Sequence, residues 1–398
     1  MSFKSDKSWL YIVYGYGGIA MQFALLPIFI ALVGVEGFGR YTFLVAICNW
    51  FAFLATMGTQ TKIRELESRR TDTSLTEVQE NYRNIFTVFY VLTGGSCIAL
   101  LGITHSVLAI NTEELLVVIV YAYSYALFSV LNSMYVGKGE LDRAAIYTFI
   151  ATISPLAVFI VGHHATGQSS IYERLYLACL IQLGLSLYMA RQSRVIAGML
   201  PVFSISKDSF IVNLKLGFNG LYDKIFTEGD KIFIGTFFGD ITLAIYSLGA
   251  QVANALRVFS SFLFLRVEKK IFSKSSVPVI PALKAILLSS IAGLFGCYIF
   301  EILFPYMFSS SLEPVLYIVY FQVLLIVCRH VSSMYFIESY TRGYSGLYTI
   351  VQYLVLLLSM IYLFCFVISL QFFVYTVILT VILTILVNIF IRGRLPNA

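Results

Sequence analysis

Charge is what this sequence has least of. Only 12% of its 398 residues are charged, against about 25% in an ordinary soluble domain, while 59% are hydrophobic and the mean hydropathy is +0.85. A chain of that composition has too little polar surface to cover itself in water, so a soluble domain is excluded and a polytopic membrane protein is expected. Cysteine is sparse: Cys48, Cys97, Cys179, Cys297, Cys328 and Cys365 stand singly in apolar runs, with no CxxC pair and no metal-ligand spacing. His163 and His164 fall in a short loop without a partnered acid or third ligand, which argues against a zinc site. No GxxxxGK[ST] occurs; the nearest fragment, Gly137-Lys138-Gly139-Glu140, lacks the rest of a phosphate loop. GxSxG and HExxH are missing as well. The expectation is a chain with no cofactor and no metal, neither an ATP-driven pump nor an enzyme.

Long apolar runs are what the chain has instead. Twelve can be drawn, at about 9–33, 40–60, 85–104, 115–136, 144–162, 172–190, 210–237, 241–265, 282–304, 314–336, 347–368 and 372–391, near the roughly 20 residues that cross a bilayer. The first is too long for a signal-peptide core and should remain as a span. With both termini in the cytoplasm, twenty of the 27 lysines and arginines fall inside. Arg40 and Arg174 fall at outer ends, and Lys215, Lys224, Lys231, Arg257 and Arg329 lie within spans. That asymmetry is the one that orients membrane proteins. It accounts for the net charge of +6 without nucleic acid as a partner.

One stretch departs from the apolar rule. Ser209 to Asp240 holds Lys215, Asp223, Lys224, Glu228, Asp230 and Lys231 in its interior, charges that sum to zero. Each would cost about 2.5 to 3.5 kcal/mol at mid-bilayer, and a Leu or Phe returns only about 0.3 to 0.6. At 100° per residue Lys215, Asn219, Asp223, Thr227 and Asp230 share one face, with Lys224, Glu228 and Lys231 adjoining. The stretch therefore reads as a seventh span facing a wet cavity. Further polar stripes are Gln251, Asn254 and Arg257 in span 8, Gln322 and Arg329 in span 10, and Gln22 in span 1, ahead of Pro27, which is expected to kink that helix. Gly15, Gly17 and Gly18 read as close-packing points. Asn49 and Asn132 read as interhelical hydrogen-bonders.

The two halves echo each other. Ile28-Phe29-Ile30 followed by Gly34, Glu36 and Tyr41 matches Ile232-Phe233-Ile234 followed by Gly239, Asp240 and Tyr246. Since these fall at spans 1 to 2 and 7 to 8, two six-helix lobes are expected, 1–200 and 201–398, with a substrate site between them.

On Pro27-Ile28-Phe29-Ile30 running into Gly34-Val35-Glu36-Gly37-Phe38-Gly39-Arg40-Tyr41, and Gly229-Asp230-Lys231-Ile232-Phe233-Ile234-Gly235 followed by Ala244-Ile245-Tyr246, the chain resembles the O-antigen flippases. These are the polysaccharide-transport branch of the multidrug/oligosaccharidyl-lipid/polysaccharide exporter superfamily. The resemblance implies an all-α polytopic membrane protein of about twelve transmembrane helices in two MATE-like lobes. It implies translocation of an undecaprenyl-diphosphate-linked O-antigen or similar oligosaccharide across the bacterial inner membrane by alternating access, with an O-antigen polymerase and a chain-length regulator as partners. Lys215, Lys224, Lys231, Arg257 and Arg329 would serve the anionic carrier. Asp223, Glu228 and Asp230 would be cavity acids or coupling sites, and Gln22, Asn219, Gln251, Asn254 and Gln322 polar lining. The related drug exporters often carry an acid in the first span, and this span has none. A drug or ion exporter of the same fold is the closest rival; a membrane O-antigen polymerase would need a large outer loop.

The charge asymmetry generates a topology test. A cytoplasm-active reporter fused after Arg394 is expected to be active and a periplasm-active one silent; efficient export of the latter would contradict twelve spans.

Overall fold

The computed structural model describes residues 8–68, 75–104, 110–166, 170–193, 196–199, 210–211, 217, 221, 224–274, 276–308, 312–341, 350–355, 357–359 and 369–394. Within them the regular structure is helical. Among the described residues seven stretches are long and apolar enough to cross a membrane, and two of these, Ala20–Thr56 and Thr227–Asn254, each hold parts of two of the apolar runs. The chain divides into two compact units, Met1–Ile241 and Thr242–Ala398.

The first unit is built on α1 (Ser8–Thr56), whose helical dihedrals are interrupted at Gly34, with φ 78° and ψ 166°. That region is essentially closed to residues with a Cβ. Pro27 lies inside the helix, and seven residues on a break in the helical dihedrals is carried by glycine. Where the apolar pattern suggests an outer loop between spans 1 and 2, one residue turns the chain. Around α1 pack α3 (Leu75–Thr104), α4 (Thr112–Gly137), α5 (Leu141–Thr166) and α6 (Ile171–Gln192), with the short α2 (Thr59–Ser68) against α3 and α4.

Lipid tails are as apolar as leucine, so close fit holds membrane helices together rather than burial from water. Small residues supply it: Ala52, Ala55, Ala126, Ala144, Ala151 and Ala190 lie in one buried cluster with Phe86, Phe89, Leu131 and Met134. At Gly137 the helices meet closely, since a Cβ would come within 2.9 Å of the Arg64 backbone. Gly18 packs on Phe149 as a close-packing glycine should, whereas Gly17 faces open space.

The second arm of α1 and the first turns of α4 and α6 are tied by one carboxylate. Arg40 donates to Glu114 from Nε at 2.7 Å and from a terminal nitrogen at 2.6 Å, and Tyr172 Oη donates to it at 3.2 Å. Glu114 also closes a capping box at the start of α4, accepting from Asn111 N at 3.0 Å while its own N–H donates to Asn111 Oδ1 at 2.8 Å.

The long helix α7 (Asp230–Lys274) repeats the device of α1. It breaks at Gly239, with φ 83° and ψ 174°, the counterpart of Gly34 in the sequence echo. The first arm belongs to the Met1–Ile241 unit, where a Cβ on Gly39 would collide with the Asp240 carbonyl oxygen. In the second unit α7 continues beside α8 (Val279–Met307), α9 (Pro314–Thr341) and α10 (Leu370–Arg394). Gly249 admits Ile318, Gly293 admits Val323, and Phe264 stacks on His330 at 4.6 Å.

These breaks make a testable pair. Gly34→Ala and Gly239→Ala should each cost about 1 to 3 kcal/mol through backbone strain, lowering the melting temperature in detergent. Gly94→Ala, in a helix with nothing near its added methyl, should be neutral or gain up to about 1 kcal/mol. Equal behaviour of all three would show that the glycine breaks carry no conformational requirement.

Candidate functional site

The Met1–Ile241 unit holds an open-mouthed cavity of about 360 Å³ between α1, α2, α4, α5 and α6. Helical periodicity assembles it. On α4 the lining residues Tyr121, Tyr125, Ser129, Asn132 and Val136 recur every three or four positions, with Phe128 and Ser133 beside them, and so form one stripe. Thr148 and Thr152 face it from α5, Ala178 and Gln182 from α6, and Tyr41, Val45 and Asn49 from α1. From Tyr121 to Val136 the stripe runs roughly 22 Å at 1.5 Å per residue.

The walls are mostly neutral hydrogen-bonding groups. Asn132 Nδ2 donates to Thr148 Oγ1 at 3.0 Å, which leaves Asn132 Oδ1 buried without a partner. Ser124 Oγ donates to Gln182 Oε1 at 2.9 Å. Asn49 Nδ2 donates to Glu228 Oε1 at 3.3 Å. The interhelical roles expected for Asn49 and Asn132 are therefore present, and both side chains line the cavity besides.

Charge enters the lining at two places, and among the described residues both are arginines: Arg64 on α2 and Arg174 on α6. Arg174 is 6% exposed. Its guanidinium carbon lies 4.0 Å from the ring centroid of Phe29 and 4.2 Å from that of Tyr41, and its Nε has no hydrogen-bond partner. Each ring contributes on the order of 0.5 to 2 kcal/mol of cation–π attraction. Taking a cation out of water costs several kcal/mol even after relaxation, so the rings alone do not balance the buried charge.

A second charged group adjoins the cavity through Asn49. The π-helical turn Ile225–Gly229 places Glu228 3.8 Å from Lys224 Nζ and 3.1 Å from Lys231 Nζ. Turns of this kind recur at functional sites because they re-aim a side chain without ending the helix. Asp230 is buried, and its Oδ1 accepts from Lys231 N at 2.7 Å.

Of the candidate residues named from sequence, Gln22 lines the cavity, and Lys224, Glu228 and Lys231 form the cluster beside it. In the other unit Gln322 is buried on α9 with Nε2 lacking a partner, Arg329 is half-buried on the same helix, Gln251 is half-buried and Asn254 exposed on α7. Arg257 lies on α7, its side chain outside the described residues, as are Lys215, Asn219 and Asp223. The described residues contain no group of three His, Cys, Asp or Glu able to hold a metal ion. Sequence reading missed Arg174, Tyr41, Tyr121, Tyr125 and Gln182. The signal was there in the four-residue spacing of Arg174, Ala178 and Gln182, and in the stripe on α4.

Residues 5–274 match the polysaccharide biosynthesis protein family. No curated protein matches the chain. An inward-facing multidrug resistance MATE family transporter of the MOP superfamily is similar at TM-score 0.62 and 16% identity, over 97% of this chain and 95% of that one. Its outward-facing counterpart is similar at 0.59 and 15% identity, over 97% and 95%. A MOP superfamily transporter from Pyrococcus furiosus, described as having a binding pocket of reverse polarity, is similar at 0.58 and 15%, over 98% and 96%. The fold is that of MATE-like membrane transporters, and by the match over most of its length the chain belongs to the polysaccharide biosynthesis protein family.

Proposed function

We propose that the protein moves a lipid-linked oligosaccharide, of the undecaprenyl-diphosphate-linked O-antigen kind, across the bacterial inner membrane by alternating access of two lobes, 1–200 and 201–398, with both termini cytoplasmic and no chemical change to the cargo. The observation that carries this is the cavity lining: tyrosines, amides and hydroxyls within a membrane unit of a polysaccharide biosynthesis family chain. Such groups meet a sugar with hydrogen bonds and aromatic faces, whereas an apolar drug needs a predominantly apolar pocket. At about 360 Å³ the space lies in the lower part of the ~300–1,000 Å³ range of ligand sites. It suits the head of a glycan, not a whole repeat unit. In this reading Arg257, Arg329 and Lys224, with Lys215 and Lys231, meet the carrier diphosphate, and Asp223, Glu228 and Asp230 keep the empty path from being too positive. A polymerase and a chain-length regulator would take the product outside.

Deletion and complementation test it. Loss of the gene should remove surface polysaccharide and leave lipid-linked repeat units behind, and the intact chain should restore export. Arg257→Ala and Arg329→Ala should each restore less than a tenth at unchanged membrane abundance, with Arg→Lys intermediate because the planar fork is lost. Full export by both alanine variants would reject the cationic path. Normal surface polysaccharide with new drug sensitivity in the deletion strain would return drug export instead.

A further inference from the structure

Arg174 stands apart from the cations of the proposed carrier path, and no ion pair or hydrogen bond answers its charge among the described residues. The rings beside it fix its orientation. Phe29 and Tyr41 have centroids 5.2 Å apart, much less than the sum of their distances to the guanidinium carbon, 4.0 and 4.2 Å. They therefore form a corner on one side of the guanidinium rather than a sandwich around it. The uncovered side belongs to the cavity that Arg174 lines. A guanidinium does not shed its proton, so at 6% exposure the group is built to receive an oxyanion.

The surroundings choose among oxyanions. The other charged lining residue, Arg64, lies on α2, whose backbone abuts Gly137 at the far end of α4. Along α4 that is roughly 24 Å from Tyr121 at 1.5 Å per residue. Arg174 thus works as a single fixed cation. A diphosphate carries more than one negative charge and needs several cations together; a carboxylate carries one and fits one guanidinium edge through two parallel N–H···O bonds. Tyrosine faces, amides and hydroxyls nearby suit the ring that would bear it.

We infer that Arg174 is the receptor for the carboxylate of an acidic sugar in the cargo, so that this chain selects glycans containing a uronic-acid type of residue. The inference rests on the proposed glycan transport and gives that transport its specificity. It is tested on the purified full-length protein in detergent, by thermal shift against D-glucuronate, D-glucose and inorganic pyrophosphate. Glucuronate should raise the melting temperature of the wild type, and the other two should not. Arg174→Lys should weaken the apparent affinity at least tenfold, and Arg174→Gln should abolish the response. Where the glutamine variant does not fold, the lysine variant carries the comparison, since it keeps the charge and loses the fork. A merely structural arginine would lower the melting temperature on substitution yet leave the glucuronate shift intact, which overturns the proposal. So does a wild type indifferent to glucuronate, or an Arg174-dependent shift with pyrophosphate, which hands the site to the carrier. Export restored in the complemented strain together with indifference to glucuronate removes this inference and leaves the transport reading standing.

Discussion

The hydrocarbon of a bilayer offers no hydrogen-bond partner, and every polar group placed in it must be satisfied by protein or by enclosed water. That constraint organises this molecule. The turns at Gly34 and Gly239 are single residues whose dihedral angles fall where a side chain could hardly follow, so few backbone groups leave the helix. Arg40, Asn111 and Tyr172 converge on the one carboxylate of Glu114, so that α1, α4 and α6 share a single ionic knot. The constraint also sets polar side chains of α1, α4, α5 and α6, among them Asn49, Asn132, Thr148 and Gln182, on faces that line one cavity.

How far this could be read in advance depends on the range of the physics. Apolar runs and glycine breaks are local, and the echo of Gly34 in Gly239 is visible in the chain and recurs in near-identical backbone angles. The meeting of five helices around a cavity is a long-range matter. Asn132 could be read as an interhelical donor, and it is one, but nothing near it in sequence says that Thr148 receives it or that Gln182 lies across the same space. Arg174 was hidden for a different reason. It sits in the first turn of α6, where a charge count assigns it to the outer boundary, yet α1 supplies two aromatic rings that draw it inward. The charged seventh span attracts attention because its charges lie close together in sequence, and the part of it described resolves into Lys224, Glu228 and Lys231 around a π-helical turn.

Function follows from the contrast between the walls and the lipid. Exposed leucines and isoleucines along α8, such as Leu283, Leu287, Ile291 and Leu294, are what hydrocarbon requires. The cavity in the other unit presents donors, acceptors and tyrosine faces to whatever fills it. In the proposed function a transported glycan is the occupant that would use those groups. On this account the cavity of the Met1–Ile241 unit is where the cargo is held.

Site-specific labelling measures that directly. With Ser133→Cys in a background free of the six native cysteines, a hydrophilic maleimide is applied to inside-out membrane vesicles from cells that make the lipid-linked glycan and from cells blocked in its first sugar transfer. The account predicts several-fold slower labelling when the glycan is present, because Ser133 lines the space it occupies. Labelling at the same rate in both membranes would contradict it.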